Sequence, residues 1–406
     1  MIRESILADH AALTEIRREI HRHPELMFQE HNTSAIVQRE LSKIGVEFVA
    51  GLAKGTGVLG YLPATEPGGS TIALRADMDA LPITEDTGVP YTSECPGVMH
   101  ACGHDGHTAI LIGVARALAK EKVRRNNVLF VFQPAEEGGA GGEQMCLDGC
   151  LDGSRLGTKA DVIYGLHGWP EVEKHRLLWK VGPMMAATNE FRIRVNGRGG
   201  HAAAPHLTID PVVAAAQIIV ALQSIAARNI DPLDSIVFTV GAIHGGEANN
   251  VIPDYVDLRG TMRTLRAETQ EYGEQRFREV VNGIATAMGC TVEIQWPGGY
   301  PVTFNEKTAT LRFRQLAEAK YGDMVEELVN PVMGGEDFSY YGAYVPACFY
   351  FLGLRRDGDE NPASVHTPRF DFNDEVIPTA VEMMTELALQ PLNLAPASSN
   401  GALSHA

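Results

Sequence analysis

Residues 99–107 of the chain read MHACGHDGH and bring one thiol, three imidazoles and a carboxylate into a single short segment, on Cys102, His100, His104, His107 and Asp105. Groups of the same chemistry follow short apolar runs elsewhere: Asp77 and Asp79 after residues 71–76, Glu136 and Glu137 after 127–132, and His167 after 161–166. Thiolate, imidazole and carboxylate together suit a borderline divalent ion such as Zn²⁺; Mn²⁺, Co²⁺ and Ni²⁺ are compatible, and Ca²⁺ is a poor match. Taken singly, each is an ordinary loop polar. As a set, at three strand ends and a Cys-x-His helix entry, they point to a metal site. Adjacent glutamates add a specific possibility. Consecutive side chains diverge, so one can bind a metal while its neighbour faces the attacking water and moves its proton.

The apolar runs at 71–76, 127–132, 161–166 and 347–352, each bounded by Gly or Pro, read as buried strands. Helices are predicted over 13–22, ended by His23-Pro24, over 33–44, and over 107–120, where Ile110, Leu111, Val114 and Leu118 recur at helical spacing. Strands alternating with helices imply an open α/β sheet, in which ligands bind beyond the carboxyl ends of the strands. Near residue 183 the rhythm changes: Phe191, Ile193 and Val195 alternate with Arg192 and Arg194, as in a sheet with one wet face. A helix over 210–227, strands over 235–243 and 255–265, a helix over 268–288 and a strand over 291–296 complete a βαββαβ order. That order defines a ferredoxin-like unit inserted into the α/β domain. The expected organisation is a catalytic domain at 1–184 and 298–392, the insertion at 185–297, and a disordered Ala-, Ser-, Asn- and Pro-rich tail at 393–406.

A length of 406 residues, 45% hydrophobic and 21% charged, is that of a globular chain of two or three domains. The net charge of −17 repels phosphate backbones and anionic membranes, so neither nucleic acid nor membrane is an expected partner. The first residues run into a charged stretch without the apolar core of a signal peptide, and no apolar run approaches the ~18 residues of a membrane span. Even 212–222 is broken by Gln217. A cytoplasmic location follows as the expectation. The six scattered cysteines suggest reduced thiols, with Cys290 and Cys348 serving as small buried hydrophobes.

With HRHPEL at 21–26, RADMDALP at 75–82, the 99–107 segment, FQPAEEGG at 132–139 and GGEDF at 334–338, the chain resembles the M20 metallopeptidase family over nearly its whole length. It is most similar to the amidohydrolase branch of hippurate hydrolases, N-acyl-amino-acid amidohydrolases and auxin-conjugate hydrolases. The resemblance implies two divalent ions held by Cys102, His104, Glu137, His167 and His366, with the Cys102 thiolate bridging and Glu136 as general base. Asp77 stands where other relatives carry a histidine, and Asp79 is implied to orient a ligand imidazole. In the inserted unit, GGHAAAPH at 199–206 implies that His201 stabilises the oxyanion. The segments 245–253 and 260–263 imply that Asn250 and Arg263 hold the substrate carboxylate. The inserted unit resembles the family's lid and dimerisation domain, which makes a homodimer or higher homo-oligomer expected.

The activity so implied is hydrolysis of the amide of a small N-acyl amino acid, with hippurate-like or N-acetyl substrates first. Three alternatives stay open at this point: a dipeptidase or aminopeptidase of the same family, Cys102 as a covalent nucleophile, and a noncatalytic metal-binding relative.

Overall fold

The computed structural model describes residues 2–392; the tail 393–406, for which composition predicts disorder, lies outside the described residues. The chain forms two compact units. The first runs to Gly182 and takes in Phe304–Val329 and the described chain from Tyr340, and the second comprises Pro183–Thr303 with Asn330–Ser339.

The first unit is built on an eight-stranded mixed sheet. Its strand order is Glu47–Leu52, Gly57–Leu62, Asn127–Gln133, Thr71–Asp77, Val162–Glu173, Ala347–Arg355, Leu177–Trp179, Val325–Glu327. The four central strands, Asn127–Gln133 to Ala347–Arg355 in that order, are mutually parallel. Parallel strands are covered on both faces, which is why they read as unbroken apolar runs: Ile72, Leu74, Phe130, Tyr164 and Phe349 are all buried. The helices Glu4–Arg22, His104–Lys120 and Ile377–Leu389 pack on one another through Leu13, Ile20, Leu111, Val114 and Val381. The first helix starts well before the predicted residue 13, because its buried stripe of Ile16 and Leu13 continues back to Ile6.

His167 is not past a strand end, as the apolar run suggests, but inside a longer strand. The ladder to Thr71–Asp77 stops at the pair Arg75–Gly165, whereas pairing with Ala347–Arg355 continues through His167–Phe351. The strand therefore runs on past its last pair with that neighbour, and His167 lies two residues beyond that pair, level with the neighbour's carboxyl end.

In the second unit an antiparallel sheet has the order Ile236–His244, Tyr255–Thr264, Ala187–Asn196, Thr291–Gly298, joined by the helices Pro211–Arg228 and Ala267–Ala287. This is the ferredoxin-like arrangement. Phe191, Ile193 and Val195 face the core, while Arg192 and Arg194 are exposed. Asp210 caps the first helix by accepting from the amides of Val212 and Val213, and Pro211 occupies the first turn, where a missing N–H is harmless. By length and composition this helix is apolar enough to cross a membrane, contrary to the expectation from 212–222 alone. Its Ala214, Ile218, Leu222 and Ile225 are packed into the core of the unit.

Candidate metal centre

The loop into the helix His104–Lys120 is shaped by close packing. Gly103 caps the helix in the left-handed region, at φ 90°, and a Cβ on Gly106 would lie 2.5 Å from the Phe372 ring, so glycine alone lets that ring seat the turn. Cys102, just before the cap, then lies with its Sγ 3.3 Å from His167 Nε2 and 3.3 Å from His366 Nε2. His366 holds a left-handed backbone, φ 61°, anchored by its amide donating to the Ala101 carbonyl at 2.7 Å. Its Nε2 is 3.0 Å from Glu137 Oε1.

The donor atoms fall into overlapping groups, each with its members within 4.8 Å of one another: Cys102, His104 and His167; Cys102, Glu137 and His366; and His104, Glu136 and Glu137. The first two groups share Cys102. The structure thus brings together all five residues expected as ligands, and Glu136 beside them.

Hydrogen bonds settle how the imidazoles are presented. His104 Nδ1 donates to the Asp79 carbonyl at 2.9 Å, and His167 Nδ1 donates to the Gly168 carbonyl at 2.8 Å. In each ring Nε2 is left facing the cluster, where it can bind an ion once it carries no proton, the arrangement that metal-binding histidines adopt. His104 Nε2 is buried and has no hydrogen-bond partner among the described residues.

Asp79 does more than orient an imidazole. Its Oδ1 accepts the Glu136 amide at 3.0 Å and its Oδ2 the Glu137 amide at 2.9 Å, so one carboxylate clasps the backbone of both glutamates. The register explains the meeting: Asp77 pairs with Gln133 on adjacent parallel strands, and the two chains leave the sheet side by side. Ala135, just before the glutamates, is held in the left-handed region, φ 56°, with its amide donating to buried Glu30 at 2.9 Å. Burial, reinforced by the charge of Asp79, pushes the Glu30 carboxyl up to about 7. Sequence reasoning missed Glu30 because the contact joins segments 105 residues apart.

The electrostatics call for a cation. Burial, then Glu137, Glu136 and Asp77, pushes the Cys102 thiol well above its usual range. Burial lowers the His104 pKa, but Asp77 and Asp79 overcome it and hold the ring at about 10. Burial, together with His107 and His104, keeps His167 neutral. A divalent ion reverses this balance, since it favours thiolate and neutral imidazole. The donor chemistry, the unpartnered buried His104 Nε2 and the excess of acidic groups fit such an ion.

Three further candidates lie in the second unit. The pairing of Gly200–His201 with Val251–Ile252, and the Ala202 amide donating to the Asn250 carbonyl at 3.0 Å, set His201 beside Asn250. His201 Nδ1 accepts from the Ala203 amide at 3.0 Å, so the neutral ring carries its proton on Nε2. Arg263, half-buried on Tyr255–Thr264, has its pKa lowered by burial, and no carboxylate forms an ion pair with it among the described residues.

A mixed α/β sheet with this donor set at the carboxyl ends of its parallel strands defines a metal-dependent hydrolase. The chain belongs to the peptidase family M20/M25/M40, whose family model matches residues 73–390. It is 40% identical over 379 residues to an N-acetyl-L-cysteine deacetylase of Bacillus subtilis, covering 93% of this chain and 88% of the relative. It is 38% identical over 392 residues to the IAA-amino acid hydrolase ILR1-like 5 of Arabidopsis thaliana, covering 95% and 88%. Among solved structures, the Bacillus subtilis YXEP protein, described as a dinuclear metal-binding peptidase of the M20 family, superposes with a TM-score of 0.79 at 34% identity. That match covers 94% of this chain and 98% of the other.

Proposed function

We propose that the protein hydrolyses the amide bond of N-acyl amino acids, with hippurate-like and N-acetyl substrates first, using two divalent ions. The observation that carries this reading is the pair of donor groups sharing Cys102, with Glu136 beside them. Cys102, His104, Glu137, His167 and His366 would hold the ions, zinc or manganese before cobalt or nickel. When bound, such ions supply Lewis acidity, acidifying a water and offsetting charge on the carbonyl.

The remaining chemistry belongs to the side chains. Glu136 takes a proton from the attacking water and returns it to the leaving nitrogen, its backbone held by Asp79. His201, protonated on Nε2, donates to the carbonyl oxygen as it becomes an oxyanion. Arg263, half-buried and in no ion pair among the described residues, grips the substrate carboxylate with Asn250. The names of the relatives, a deacetylase of an N-acetyl amino acid and a hydrolase of amino-acid conjugates, support the same substrate class. Cys102 as covalent nucleophile is disfavoured, because nucleophilic thiols have depressed pKa values and this one is pushed up. The reading extends to a cytoplasmic homodimer or higher homo-oligomer formed through the second unit, acting as a lid.

The test is hydrolysis of N-acyl amino acids and of free dipeptides by chelated and then metal-restored protein. Metal-dependent release of amino acid from the acylated series is expected. Preference for free dipeptides would replace this reading with the dipeptidase one, and turnover unaffected by chelation would overturn the metal mechanism.

A further inference from the structure

We infer that His107 is a positioning residue, which ties Asp77 to the amide of Gly168 and so holds the His167 imidazole with Nε2 turned toward Cys102. The inference rests on the metal-centre reading above and assigns a task to two residues which that reading leaves idle.

Asp77, His104 and His107 are close enough to count as a donor group of their own. The hydrogen bonds argue otherwise for His107. Its Nδ1 lies 2.7 Å from Asp77 Oδ1, and its Nε2 lies 2.9 Å from the Gly168 amide nitrogen. A backbone N–H can only donate, so Nε2 must be the unprotonated, accepting nitrogen, and Nδ1 must carry the proton given to Asp77. Both ring nitrogens are engaged, and neither is left for a metal. The other Asp77 oxygen accepts from Arg75 Nη1 at 2.7 Å, so the carboxylate is held from both sides.

The next residue along makes this consequential. The Gly168 amide belongs to the peptide linking it to His167, and the Gly168 carbonyl is the acceptor that fixes the His167 ring. His107 thus anchors the backbone on which His167 depends for both its position and its tautomer. The His107 and His167 rings also touch, with centroids 4.8 Å apart. Outer partners of metal-bound imidazoles typically influence metal affinity or activity by about 10–100-fold.

Two measurements test the inference. In the zinc-loaded wild-type protein, nitrogen NMR of the histidine rings should show His107 as the neutral Nδ1–H tautomer; an Nε2–H or doubly protonated ring could not accept from Gly168 and would overturn the inference. Zinc affinity should then be measured by competition with a chromophoric chelator for His107→Gln and His107→Phe. Glutamine can place a donor toward Asp77 and an acceptor toward Gly168, and should stay within about threefold of wild type. Phenylalanine fills the space without either bond, and should bind about 10–100-fold more weakly. Wild-type affinity in His107→Phe, or equal losses in both variants, would sink the positioning role while leaving the metal centre standing. Failure of the wild type to bind zinc would instead count against the metal centre itself. If His107→Phe does not fold, the tautomer measurement still decides.

Discussion

The sulfur of Cys102 lies 3.3 Å from Nε2 of His366, a residue 264 positions further along the chain. The same sulfur lies equally close to His167. A thiol so placed belongs to two donor groups at once, whereas His366 belongs to one.

That difference predicts unequal effects on metal content. Cys102→Ser should weaken both ions, and His366→Ala only one. Metal analysis after dialysis separates the cases; full metal content in Cys102→Ser would remove the sulfur from its bridging role.

Glu136→Gln should keep its metal and lose turnover. The amide is nearly the same shape and can still be held by Asp79 through its backbone, but it cannot accept the proton. General acid–base groups contribute about 10²–10⁴-fold, and a fall in kcat of that size with unchanged metal content is expected. Wild-type kcat would show that the proton goes elsewhere.

Arg263→Lys keeps the charge and loses the planar fork that holds a carboxylate by two bonds. For N-acyl amino acids, KM should rise about 10-fold or more, the equivalent of one charge-assisted hydrogen bond. Analogues with the carboxylate capped as an amide should show little change. Equal effects on both series would mean that Arg263 does not read the carboxylate.

A pH dependence of stability is expected from His21. Burial lowers its pKa, but Asp105 at 2.7 Å and Glu85 at 3.3 Å more than compensate and raise it from 6.5 to about 9. A folded-state pKa above the unfolded one means that the stabilisation is fully present below about pH 6.5 and is lost as pH rises through about 9. The difference amounts to a few kcal/mol. Denaturant titrations of wild type and His21→Phe should therefore converge by that order between pH 6 and pH 10. A constant gap would show that His21 is not charged in the fold.

Much of the site was legible because three of its segments follow apolar runs whose strands are neighbours, and a fourth opens a helix. Asp77 and Asp79, the Glu136–Glu137 pair, and Cys102 with His104 could be grouped by chemistry alone. His366 could not: it sits in a loop, on a left-handed backbone, and only the family pattern singles it out. The period-two rhythm of 191–195 revealed the second unit, since one sheet face is wet. What the sequence hid depends on register and hydrogen-bond direction. The strand extension that carries His167, the Asp79 clasp on two amides, the Glu30 contact to Ala135 and the His107 bridge all join segments whose alignment no local pattern specifies.

Ala135, the residue before the proposed base, is held in a left-handed conformation that disfavours any side chain, at a penalty of about 1–3 kcal/mol. Glycine there would relieve the penalty but free the backbone that carries the base, so one methyl group trades strain for a fixed turn. An engineer hardening this protein against heat should leave that methyl alone.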